Sequence, residues 1–130
     1  MKKPPPEKPA VDDNKFDVVC YEDERGVKLF DEWLETLRDK RAQSKLERRV
    51  MLMRKGDFGQ TRPVGQGVIE SKIDEGPGYR LYYAHYGTTV VLLICGGDKR
   101  TQNKDIKLAQ DYWAQWKERQ KHEAQELRSK

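Results

Sequence analysis

Residues 88–95, TTVVLLIC, are apolar without interruption after the two threonines. A short run of this kind reads as a β-strand, and its lack of polar alternation requires cover on both faces. Such a strand sits inside a sheet, so the chain must supply neighbours for it. Two lie immediately upstream. GVIESKID (67–74) alternates, with Ile69, Ser71 and Ile73 on one side and Glu70, Lys72 and Asp74 on the other. YRLYYAH (79–85) is rich in aromatic residues suited to a strand. EGPG and YG are tight-turn sequences, and connections this short predict an antiparallel meander of the three strands. A further strand is expected near the start, in FDVVCYEDE (16–24).

The period changes after Val27. Phe30, Trp33, Leu34 and Leu37 share one helical face, RDK interrupts, and Ala42, Leu46, Val50 and Met53 repeat the spacing. Two helices with a short turn form an αα-hairpin, ended by KGDFGQ (55–60). Beyond GGDKRTQ, the stripe Ile106, Ala109, Trp113 and Trp116 predicts a last helix, capped by Thr101 or Asn103. Its end, with only Ala124 and Leu127 apolar, is expected to project or fray. The predicted order is β-α-α-β-β-β-α. This is an α+β fold: a small, mostly antiparallel sheet with a helical hairpin packed on it and a C-terminal helix. A flexible Pro-rich tail is expected over 1–15, one domain over 16–115, and a polar helical extension over 116–130.

Charged residues make up 37% of the 130-residue chain, yet the net charge is only +4. That balance does not by itself call for a nucleic-acid partner, so local clusters must carry the argument. Cys20 and Cys95 lie in apolar contexts without metal-type spacing and read as buried free thiols of a reducing compartment. His85 and His122 are isolated, so no metal site is expected. No run is long and apolar enough for a membrane span, and MKKPPPEKPA has no apolar core for a signal peptide. The expected location is the cytoplasm.

If Ile73 pairs with Tyr79 across EGPG, Lys72 faces Arg80, with Glu70 and Tyr82 beside them. Two opposed cations repel unless acids intervene or an anion binds. The plain alternative is that both pair with Glu70 and Asp74 on a solvated face. Lys99 and Arg100 follow the apolar strand and emerge beside Arg80, at a helix start that favours anions. Together these cations are suited to a phosphate, and Tyr79, Tyr82, Tyr83 and His85 offer rings on which bases could stack.

The segment from GVIESKIDEGPGYRLYYAHYGTTVVLLI through CGGDKRTQNKDIKLAQDYW resembles the RelE/ParE superfamily of bacterial toxins. Within it, the chain is most similar to the HigB-like, phage Gp49-like branch of addiction module killer proteins. The likeness rests on GPGYR and GGDK-TQ-KDI at this spacing and extends over about residues 16–115. It implies a toxin held inactive by a small helix-turn-helix antitoxin. It further implies a metal-independent endoribonuclease that cleaves mRNA on the ribosome and needs no cofactor. By the same resemblance, Arg80 matches the strand arginine that stabilises phosphate, Lys72 a base or electrostatic clamp, and Lys99 the lysine of GGDK. Arg100 and Gln102 are implied as substrate contacts, and Tyr82 joins them from the strand reading as a ring for a base. The chain departs from the pattern at Ile106, where relatives carry a tyrosine or histidine, so no general acid is assigned. Two other activities therefore stay open: a ParE-like inhibitor of DNA gyrase, and a degenerate toxin that only binds its antitoxin.

Overall fold

The computed structural model describes residues 14–129; most of the Pro-rich segment expected as a tail lies outside them. The elements run β1 (Asp17–Cys20), α1 (Leu29–Thr36), α2 (Lys40–Arg54), β2 (Gln60–Pro63), β3 (Ile69–Ile73), β4 (Tyr79–Tyr86) and β5 (Val90–Asp98). A single 3₁₀ turn (Lys99–Thr101) then leads into α3 (Gln102–Arg128). The α+β architecture read from the sequence is the one found. No helix among the described residues is long and apolar enough to cross a membrane.

The five strands lie in the order β1-β5-β4-β3-β2, antiparallel except for β1, which pairs parallel with β5. The EGPG turn sets the β3–β4 register. Gly76 and Gly78 take positive φ, the Gly78 N–H donates to the Glu75 carbonyl at 2.9 Å, and Ile73 pairs with Tyr79. Lys72 therefore stands opposite Arg80, as expected.

Strand alternation sends side chains to two cores. Leu81, Tyr83, Val91 and Leu93 pack against Phe30, Ala42, Leu46 and Met53 of the hairpin. Tyr82, Ala84, Leu92 and Ile94 pack against Ala109 and Trp113 of α3. Asp39 caps α2 by accepting from the Arg41 and Ala42 N–H groups, and the Gln43 amide ties down the Leu34 and Leu37 carbonyls. These contacts fix the turn that lays α2 across the sheet.

Three expectations need correction. First, GG does not end the apolar strand: β5 runs through Gly96 and Gly97 to Asp98. The two glycines point to opposite faces, and each is covered closely. A Cβ on Gly96 would collide with the Trp33 ring, and one on Gly97 with the Asp105 carboxylate. Second, QTRP forms an added edge strand, β2, against β3. Third, of the two outcomes expected past Trp116, fraying is not found: α3 continues to Arg128 as the polar helical extension expected there. Its Ala, Gln, Glu, Lys and Arg residues are strong helix formers, and Arg119 lies over the Tyr21 ring. Asp98 caps the 3₁₀ turn, and neither Thr101 nor Asn103 caps α3 through its side chain.

Candidate functional site

β2, β3 and β4 lie side by side, and the start of α3 stands over the same face. Between them is a cleft of about 520 Å³ lined by Gln60, Arg62, Glu70, Lys72, Arg80 and Gln102, among others. The register explains the set: Gln60 pairs with Lys72, Arg62 with Glu70, and Lys72 with Arg80, so all share one face.

Glu70 is the hub. It is only 3% exposed, yet it is fully partnered. One oxygen accepts from Arg62 Nε at 2.9 Å; the other accepts from Gln102 Nε2 at 2.9 Å and from the Tyr82 hydroxyl at 3.0 Å. Burial works against its charge, but the three hydrogen bonds outweigh burial and hold its pKa below the usual carboxylate value. With three hydrogen bonds accepted, Glu70 ties β2, β4 and the start of α3 to β3 and anchors the site.

Arg80 lies next to it. Its side chain is 9% exposed, and Nε is 3.7 Å from Glu70 Oε2, too far for a hydrogen bond. Nε and Nη1 are buried with no hydrogen-bond partner. Buried cationic donors without acceptors are costly, and negative charge in the adjoining cleft would offset that cost. Lys72 stands at the rim, half-exposed, 3.4 Å from Asp74 Oδ1. The apposed cations are thus each relieved by an acid, as the plain reading of the strands had it. That face is not a solvated one at Arg80 and Glu70, however; both are buried.

Lys72 and Arg80 also line an adjoining cleft with Lys99 and the EGPG turn. Lys72 and Arg80 are thus shared by two adjoining clefts, with Gln102 lining the first and Lys99 the second. Arg100 lines neither. Arg100 is 84% exposed and pairs with Asp98 at 3.0 Å, holding the Asp98 carboxyl below the ordinary range.

Tyr82 is no stacking platform. Its ring is wholly buried under α3, and only its hydroxyl contributes, through Glu70. Burial pushes its phenol pKa well above the usual value. Tyr79 and Tyr83 are buried in the hairpin-side core, and His85 packs edge-on against Phe58 and Tyr83. Asp105, whose carboxyl burial pushes upward, sits against Gly97, the β5 neighbour of Arg80, but lines neither cleft. Among the described residues, no group of three or more His, Cys, Asp or Glu side chains could hold a metal ion.

Arg62 and Gln60 enter the site only because β2 exists, and QTRP carries no apolar period by which to find that strand. A Haemophilus influenzae protein described as an uncharacterized protein is 46% identical over 80 residues, covering 62% of this chain and 81% of its own length. No family model and no solved structure matches the chain.

Proposed function

We propose that this chain, which belongs to one family with the Haemophilus influenzae protein, is the toxin of a type II toxin–antitoxin pair. In this reading it is a metal-independent, ribosome-dependent mRNA endoribonuclease of RelE/ParE type that inhibits translation. The observation that carries the proposal is the buried Arg80 guanidinium, whose Nε and Nη1 have no hydrogen-bond partner, in the wall of a cleft rimmed by cations. The resemblance of GPGYR and GGDK-TQ-KDI to the HigB-like branch supplies the reaction.

In that reaction the ribose 2′-hydroxyl attacks the adjacent phosphate in line, and the 5′-oxygen leaves. Its proton is taken by a base and one is returned to the leaving oxygen. Charge grows on the non-bridging phosphate oxygens, where fixed donors act most strongly. Arg80 supplies its positive charge there, and Glu70 holds its orientation from 3.7 Å without a hydrogen bond. Lys72 and Lys99 approach from the rim as electrostatic clamps. The Gln102 amide, tied to Glu70, closes the side toward α3. A helix-turn-helix antitoxin is the expected protein partner, mRNA and the ribosome are the targets, and the cytoplasm is the compartment.

The test is inducible expression from a tight promoter with mapping of mRNA 5′ ends. Wild type should give codon-phased cuts, insensitive to a chelator in extracts, that vanish in Arg80→Ala. Lys72→Ala repeats the comparison at a half-exposed position and separates chemistry from folding. Growth arrest with intact mRNA and impaired supercoiling would overturn the nuclease in favour of gyrase inhibition. No toxicity from a folded wild-type chain would leave only the antitoxin-binding role.

A further inference from the structure

A second cationic cleft lies around the sheet edge from the first. It measures about 480 Å³ and is lined by Lys45, Arg48, Arg49, Gly59, Gln60 and Lys72, among others. Gln60 and Lys72 belong to both clefts, so the two are continuous.

The cations converge because Lys45, Arg48 and Arg49 fall at i, i+3 and i+4 on α2. Like charges at that spacing repel, which an unoccupied solvated face does not require. Acids offset three of the cleft's cations: Lys45 pairs with Glu75 at 2.7 Å, Arg49 with Asp57 at 3.1 Å, and Lys72 with Asp74, which also lines the cleft. Arg48 forms no ion pair with any described residue and leaves the cleft with an excess of positive charge.

Arg49 is the built part. Its guanidinium lies flat on Gly59, where an added Cβ would be 2.8 Å from Cζ. Nη1 donates to the Asp57 carbonyl and to Asp57 Oδ1, both at 3.1 Å. Nε is buried and has no partner, the same condition found at Arg80. The lining has no aromatic ring, so it suits a phosphate chain rather than a base.

We propose that this cleft is a second subsite for RNA phosphodiester backbone, guiding a single strand past Lys72 into the Arg80 cleft. The inference rests on the RNA-cleaving reading above. It adds a sequence-neutral contact remote from the scissile bond. The backbone held there belongs either to the substrate strand or to ribosomal RNA.

The experiment uses the full chain and the double variant Lys45→Gln/Arg48→Gln, both positions being exposed. Fluorescence anisotropy follows binding of 2′-O-methyl oligoribonucleotides of four and twelve residues across a salt series. Co-sedimentation follows binding to ribosomes. The variant should bind the four-residue oligomer unchanged. On the longer one, the slope of log K against log salt should fall by about 1.4, since each lost phosphate contact removes about 0.7 on a single strand. That result assigns the subsite to the substrate strand; weakening on ribosomes alone assigns it to ribosomal RNA. Wild-type behaviour on both overturns the subsite. If Lys72→Ala still weakens binding in that case, the RNA reading survives without it. A wild-type chain that binds neither oligomers nor ribosomes overturns both.

Discussion

Replacing Glu70 with glutamine isolates the group that organises the cleft. The side chain keeps its shape and loses its charge among neighbours that are mostly donors. Arg62 is more than half exposed and returns to water, so its share is about 0–1 kcal/mol. Arg80 cannot do so, because its side chain is buried and, among the described residues, Glu70 is the only carboxylate paired with it. Stranding one member of a buried pair costs about 3–5 kcal/mol. The low end applies here, since the pair is 3.7 Å apart and the cleft admits water. Tyr82 and Gln102 can rotate to suit an amide, so they add little. The expected loss is about 3 kcal/mol at pH 7, a large part of the stability of an ordinary domain. The sign with pH follows from the lowered pKa of Glu70. Its contribution is complete above the unfolded value of about 4.3 and is lost as pH falls through the lower folded value. Urea denaturation of wild type and Glu70→Gln should therefore show a wide gap at neutral pH that closes in acid. Equal stability at pH 7, or a gap that persists below the folded pKa, would refute the claim that the charge of Glu70 holds Arg80.

Two further outcomes follow from packing and burial. Gly96→Ala should lower stability by about 1–3 kcal/mol in thermal or urea melts, because the Trp33 ring must leave its place on the strand; a neutral result would mean that the ring has room to move. The Cys95 thiol is pushed up to about 12 by burial, so in the native protein at pH 8 its alkylation should follow global opening. Mass-spectrometric labelling that finds Cys95 reacting like a free thiol would contradict that burial.

The sequence was legible where one local rule decides the structure. Helical spacing located α1, α2 and the start of α3, and the EGPG turn fixed the register that opposes Lys72 and Arg80. It was not legible where the deciding contact is distant. QTRP is polar, exposed and ends in proline; it is a strand only because β3 offers an edge to pair with. Gly96 and Gly97 look like a break, and they stay extended because Trp33 and Asp105 press on them from opposite sides. Glu70 reads as a solvent-facing residue of an alternating strand. Its burial depends on Tyr82 and on Gln102, which is 32 residues away. Alternation put Tyr82 on the face of Arg80 but carried no sign that α3 covers that face at the ring. The grouping of Lys72 and Arg80 with Gln102 in one cleft and with Lys99 in the next came from register and motif; the isolation of Arg100 came from its local pairing with Asp98.

The parallel pairing of β1 with β5 has a consequence for synthesis. The first strand made has no partner until Val90–Leu93 leave the ribosome, and the cleft has no wall on its α3 side until Gln102 follows. Contacts this distant along the chain form late. Until then Glu70 lacks one of its donors, and the face that will bear Arg80 is not yet covered by α3. The site is thus incomplete in the growing polypeptide until Gln102 has been made.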